Sequence, residues 1–190
     1  MKKIKLKPTN KWLDRFWLTI KLFIVSFFIV FIIRGFFLIP VPVIGSSMEK
    51  NLSPGDMMIM EKFTKIHRFD VVVIKLPTDE IIVKRVIGLP GESISYENNE
   101  LYVDDKKVSE PFLKENEKEY QSKSFYTNDF DLEMISGRKT LAKETYFVLG
   151  DNRPMSRDSR SFGVVSQNEI LGKARLVYYP FKDMKVLSKN

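Results

Sequence analysis

Glu80-Ile81-Ile82-Val83-Lys84-Arg85-Val86-Ile87 runs directly into Gly88-Leu89-Pro90-Gly91-Glu92. Short, β-branched and closed by a Gly-Pro-Gly turn, residues 80–87 read as a strand rather than a helix. On a strand, side chains alternate between faces, so Ile82, Lys84 and Val86 share one face and Arg85 points to the other. A lysine between two branched apolar neighbours is placed to lose its hydration, and burial disfavours the ammonium form. Bringing a lysine from about 10.4 to the ~7–8 useful in a general base takes roughly three pK units, or about 4 kcal/mol. The alternative is an edge lysine whose stem snorkels to water.

Working outward, residues 57–62 and 70–76 are similar runs rich in Val, Ile and Met, separated by turn chemistry at Ser53-Pro54-Gly55-Asp56 and Pro77-Thr78-Asp79. Residues 93–96 and 100–103 flank Glu97-Asn98-Asn99 as a hairpin, and 146–149 and 174–179 add two strands. No long helical periodicity follows residue 45, so the class is mainly β: an antiparallel β domain behind one N-terminal helix. Residues 108–143 differ, being highly charged over 110–120 with a loop at Ser136-Gly137-Arg138-Lys139, and read as a small inserted cap. Met57, Met58 and Met60 are expected as core filler.

That N-terminal helix is membrane-length. Residues 17–39 are apolar except for Thr19, Lys21, Ser26 and Arg34, and as a helix they span roughly 35 Å against a ~30 Å hydrocarbon core. Lys21 and Arg34 are expected to snorkel to opposite interfaces. The chain carries net +7 over 190 residues, yet six of those charges fall in the first 21. Basic residues clustered before an apolar run predict a cytoplasmic N-terminus. The expected layout is a basic cytoplasmic segment 1–15, a transmembrane anchor 16–39, and an extracytoplasmic domain 40–190 carrying the cap. A cleaved leader is the rival reading, but a cut after Val43-Ile44-Gly45 leaves Ser47 two residues from the new terminus. The charge follows topology, so no nucleic-acid partner is expected.

With no cysteine and one histidine, a thiol nucleophile, disulfides and a two-histidine metal site are excluded; neither a metal nor another cofactor is expected. His67, in Lys65-Ile66-His67-Arg68, lies in a turn with no orienting acid and reads as uninvolved. A serine would then need another base, and a desolvated lysine can serve. Ser47 lies in Gly45-Ser46-Ser47-Met48. Alone, that is a small flexible joint; functionally, Gly45 permits close backbone approach and the Ser47 N–H becomes an oxyanion donor. The third segment is Gly150-Asp151-Asn152-Arg153-Pro154-Met155-Ser156-Arg157-Asp158-Ser159-Arg160. It reads either as a solvated loop or as one fixed by paired Asp151, Arg153, Asp158 and Arg160, with Ser156 placed to hold an amine by a hydrogen bond.

These three segments, in this order behind one anchor, resemble the bacterial type I signal peptidases, most of all in Gly150-Asp151-Asn152-Arg153 and Arg85-Val86-Ile87-Gly88-Leu89-Pro90-Gly91. The compact size, single anchor and small insertion resemble the Gram-positive members. The resemblance implies a membrane-bound serine endopeptidase with Ser47 as nucleophile and Lys84 as general base. Ser156 would orient the lysine, and Asp158 and Arg160 would shape the loop. It also implies secreted preproteins as substrates, cut after a small residue with another small residue two positions earlier, and lipid as the setting. One departure stands out: after Ser-Met the family usually carries Pro-Thr before leucine, whereas here Glu49-Lys50-Asn51 precedes Leu52. A charged pair beside the nucleophile is expected to alter substrate selection, and it keeps open a non-proteolytic member of the fold serving surface or pilus assembly as a scaffold. Retention of both Ser47 and Lys84 argues against that rival. A self-cleaving repressor-type protease is opposed by the anchor and by the lack of a DNA-binding segment.

Overall fold

The computed structural model describes residues 10–36, 38–49, 51–62, 64–113 and 126–187, without the side chains of 33, 34, 36 and 38. The basic segment 1–9, Lys50, the side chain of Arg34 and most of the charged stretch 110–120 therefore lie outside the described residues. The chain divides into two compact units, residues 1–38 and 39–190.

In the first unit, helix α1 spans Lys11–Phe36. Its portion Lys11–Ile32 is long and apolar enough to cross a membrane, and none of it is buried within the protein. The two hydroxyl residues inside the span bond back to the helix, Thr19 Oγ1 to Arg15 O and Ser26 Oγ to Leu22 O, each at 2.8 Å. Neither therefore presents an unsatisfied donor to an apolar surrounding.

The second unit is antiparallel β. Its strands are β1 Leu38–Pro42, β2 Met57–Glu61, β3 Val71–Lys75, β4 Ile81–Gly88, β5 Ile94–Glu97, β6 Glu100–Val103, β7 Lys106–Val108, β8 Phe130–Asp131, β9 Thr145–Leu149, β10 Val165–Ser166, β11 Ile170–Tyr179 and β12 Lys185–Val186. The large sheet has the order β1-β2-β11-β3-β4-β9-β10, with β12 also on β11; the small sheet has the order β7-β6-β5-β8. The mainly antiparallel fold read from the sequence is the fold observed.

Alternation along β3 and β4 builds two cores. Val71, Val73 and Val83 join Val43, Met48, Leu52, Met58 and Met60 in one cluster. Val72, Ile74 and Val86 join Val148 and Val165 in another, with Ile82 packed against it. A third cluster sits between the small sheet and the ends of β4 and β9, around Ile87, Tyr96, Leu101, Phe147 and Leu149. Met58 and Met60 are core residues as expected, whereas Met57 is only partly buried because the alternation of β2 turns it off the core. Part of the apolar stretch after the helix also joins the core: β1 pairs with β2, and Val43 just past β1 is buried while Ile44 is exposed.

The hairpin at Asn98-Asn99 is present, with both residues at positive φ. That pair of left-handed residues gives the twist a two-residue connection needs. Asp104-Asp105 makes the β6–β7 turn the same way, though the sequence reading left it unmarked. β11 starts four residues earlier than its sequence pattern suggested because Gly172 and Lys173 interrupt the alternation. Gly172 sits where a Cβ would come 2.6 Å from Glu61 O, and Lys173 is buried against Asp70 at 2.7 Å. Within the expected cap, α2 (Leu132–Ser136) is capped by the Asp131 side chain and ends on Gly137 at positive φ. β8, also inside that region, pairs with β5 outside it.

Candidate active site

Ser47 sits in a tight turn where Glu49 N donates to Ser46 O at 3.0 Å and Leu52 N to Met48 O at 2.7 Å. Met48 and Leu52, both fully buried, pin that turn into the core. The third segment grips it from outside: Asn152 N donates to Ser47 O at 3.0 Å, and Asn152 Nδ2 to Ser46 O at 3.1 Å. Held this way, Ser47 Oγ lies 2.6 Å from Lys84 Nζ.

Lys84 occupies the strand position expected, in the middle of β4 with Val72 directly across on β3. It is 3% exposed, and its amine also donates to Val83 O at 3.1 Å. Burial lowers its pKa from the ordinary lysine value; Asp158, Glu80 and Asp151 pull the other way more weakly. Desolvation therefore favours the neutral amine, the form that accepts a proton from a hydroxyl.

Arg85 points to the opposite face, as strand alternation requires. It meets Asp151 through two bonds, Nε to Oδ1 at 2.8 Å and Nη2 to Oδ2 at 2.5 Å, and donates to Phe69 O at 2.9 Å. Its guanidinium lies 4.1 Å from the centre of the Phe112 ring. Continuing the β4–β9 register one step past Arg85↔Leu149 puts Gly150 opposite Lys84.

Gly150 opens a loop fixed by three buried charges. Arg153, 1% exposed, donates to Gly150 O at 3.0 Å, Tyr96 Oη at 2.5 Å, Thr127 Oγ1 at 3.1 Å and Glu110 Oε1 at 2.5 Å. Burial opposes its charge, but Glu110 and Tyr96 outweigh burial and hold the guanidinium firmly protonated. Asp158 accepts from Gly150 N at 3.0 Å and binds Arg160 through both oxygens, at 2.9 and 2.8 Å. Arg160 then donates to Arg153 O at 2.7 Å. The loop is built of paired charges rather than solvated ones.

Ser156 reaches the same place by packing. A Cβ on Gly150 would lie 2.2 Å from Ser156 Oγ and 2.4 Å from Ser47 O, so the hydroxyl and the Ser47 backbone are neighbours across a glycine. Ser156 Oγ is buried and makes no hydrogen bond in this structure; the bond to the lysine amine expected from the sequence is not formed here. Gly45 has φ +82 and nothing within 4 Å of an added Cβ, so its need for glycine is conformational. His67 is half-exposed and meets Asp70 at 3.5 Å. The sequence reading missed as partners of this assembly Tyr96, Glu110 and Asn152, together with Asn51, whose amide donates to Asp151, and Tyr126, whose hydroxyl donates to Asp151 O and accepts from Arg153 N. Asn152 sat inside the motif already singled out, whereas Glu110 and Tyr126 carry no local signal.

The family model for "Signal peptidase, peptidase S26" matches residues 16–179. The chain is 40% identical over 162 residues to signal peptidase I V of Bacillus subtilis, covering 83% of this chain and 95% of that one. It is 44% identical over 145 residues to signal peptidase I of Bacillus caldolyticus, covering 73% and 78%. The crystal structure of a signal peptidase I from Enterococcus faecalis superposes with a TM-score of 0.56 at 39% identity, covering 58% of this chain and 97% of that one. Fold and site thus define a β-sheet peptidase with a serine beside a buried lysine. The chain belongs to the signal peptidase family, peptidase S26, a family of serine endopeptidases.

Proposed function

We propose that the chain is a membrane-tethered signal peptidase that removes signal peptides from preproteins, using Ser47 as nucleophile and Lys84 as general base. The observation that carries this reading is the 2.6 Å approach of Ser47 Oγ to a buried, pKa-depressed Lys84 amine. The neutral amine takes the hydroxyl proton as Ser47 attacks the scissile carbonyl. The resulting ammonium returns that proton to the leaving amine, and water then attacks the acyl-enzyme with the same amine as base. The Ser47 N–H, on a turn opened by Gly45, faces the developing oxyanion. Ser156, whose buried hydroxyl beside Gly150 is unspent, is placed to hold the amine once Ser47 Oγ is esterified.

The substrate binds extended along an exposed sheet edge, so residues one and three before the cut are read and the one between is not. Both must be small. The 11–36 helix serves as a retained anchor with a cytoplasmic N-terminus, and the 39–190 unit works outside, at the lipid surface. The unusual residues beside the nucleophile leave the pair intact: Glu49 is exposed, and Asn51 turns inward.

The test is preprotein cleavage by Ser47→Ala and Lys84→Ala variants that still fold and reach the membrane. Both should lose at least about a thousandfold in kcat, as removal of a nucleophile or its base does. Lys84→Arg should fail as well, since guanidinium cannot deprotonate. Normal processing by either alanine variant would reject the assignment.

A further inference from the structure

The turn carrying the nucleophile and the strand carrying the lysine come from different parts of the sheet, and a separation of 2.6 Å between their side chains demands that the two segments be locked together. One closed set of contacts does this, and Asn51 completes it. Its side-chain amide donates to Asp151 Oδ2 at 2.8 Å and to Phe112 O at 3.0 Å. The same Asp151 oxygen accepts Nη2 of Arg85 at 2.5 Å, and Arg85 lies over the Phe112 ring at 4.1 Å. The path Asn51–Asp151–Arg85–Phe112–Asn51 is therefore a ring. Two of its members lie close to the reacting groups: Arg85 is next to Lys84 in the chain, and Asn51 N donates a hydrogen bond to Met48 O at 3.1 Å, one residue past Ser47.

We propose that Asn51 is a positioning residue for the reaction: its two-hydrogen amide clamps the Ser47 turn onto the Asp151–Arg85 pair and so fixes the distance to Lys84. This rests on the assignment of Ser47 and Lys84 proposed above. The chemistry of the amide is the reason it suits the place. Its NH₂ is a double donor facing two acceptors, and no other side chain of that length offers two hydrogens without a charge. Asp151 has its Oδ1 occupied by Arg85, so the bond from Asn51 orients the carboxylate rather than neutralising it. Phe112 belongs to the segment that follows β7, so the amide also ties that segment to the site.

Asn51 touches neither substrate nor the reacting atoms, which separates the prediction from that for Ser47. Loss of the clamp should loosen alignment and leave binding unchanged. In full-length protein reconstituted in detergent, with a preprotein carrying small residues one and three before the cut, Asn51→Ala should lower kcat about 10- to 100-fold. KM should stay within about twofold, because ground-state contacts are untouched. Asn51→Thr supplies one donor and should recover part of that loss. Asn51→Asp keeps the shape but offers no donor when ionised, and should be as impaired as alanine at alkaline pH. If Asn51→Ala does not fold, the contrast between the threonine and aspartate variants decides. Wild-type kcat in Asn51→Ala, equal rates in the threonine and aspartate variants, or a rise in KM at constant kcat would overturn the clamp. Ser47→Ala runs alongside as a control: cleavage retained there removes the serine–lysine assignment and the clamp with it, whereas the other failures remove the clamp alone.

Discussion

Lys84 shows how one residue's surroundings become a measurable property. Burial lowers its pKa, and Asp158, Glu80 and Asp151 restore part of the shift. As the proposed base, Lys84 must be unprotonated in the free enzyme, so cleavage should rise with pH through the depressed lysine value and stay high on the alkaline side of neutrality. His67→Gln should leave the rate and this limb in place, because the ring meets Asp70 rather than Ser47 or Lys84. A limb near 6.5 that disappears in the His67 variant would mean another base. The same depression has a cost for stability. Below the ordinary lysine value the unfolded chain binds a proton that the folded chain holds less tightly. Stability therefore rises with pH between the folded and unfolded values. At neutral pH that burial is destabilising by about 1.4 kcal/mol per unit of depression. Lys84→Met should thus abolish cleavage while raising the urea midpoint, since Asp151 and Asp158 keep their arginine partners. A lowered midpoint would mean the amine is held charged.

At the scale of elements, the loop after β9 is fixed by what it can approach. Gly150 admits Ser156 Oγ and Ser47 O to distances a side chain forbids. Gly150→Ala should therefore push the Ser47 turn off Lys84, costing roughly 1–3 kcal/mol of stability and at least about a hundredfold in kcat. Thermal melting and single-turnover cleavage would measure the two effects, and near-normal cleavage would show that the loop yields. This close packing was legible only in part. The strand that presents Lys84, its flanking faces and the Asn98-Asn99 hairpin follow from alternation and turn chemistry, which are local signals. The three motifs that the structure brings together, and on which the proposed reaction rests, stand out by local composition in the same way. Glu110 and Tyr126 do not, because a charge in a polar stretch and an isolated tyrosine acquire their partners only when the distant loop after β9 folds against them. Nor does the role of Asn51, which is merely a departure until Asp151, a hundred residues later, arrives beside it. β11 extends beyond its local pattern because Gly172 and Lys173 disguise a strand whose lysine is paired by Asp70.

Across the whole molecule, apolar surface is distributed unevenly. In the apolar stretch after the helix, Val43 is spent on the core and Ile44, at 84% exposure, stays outside. A second exposed set follows β11, with Phe181 at 76%, Val186 at 75% and Met184 at 57%, interleaved with exposed Lys182 and Lys185. Apolar side chains alternating with lysines suit the boundary of an anionic bilayer, where the rings enter the acyl region and the ammonium groups meet headgroups. Each large side chain transferred contributes about 1.5–3 kcal/mol, and each lysine near the surface about 1 kcal/mol. Together these give weak, reversible binding that acts beside a tether rather than replacing one. A fragment lacking residues 1–35 should therefore float with vesicles containing anionic lipid and be released by salt. Phe181→Ser with Val186→Ser should lose most of that binding while preserving cleavage of a soluble peptide. The same double variant in the full-length chain should slow cleavage of a membrane-inserted preprotein more than that of the peptide. A fragment that ignores anionic vesicles, or a double variant that floats as well as its parent, would show that this face meets water and that the anchor alone holds the domain at the bilayer.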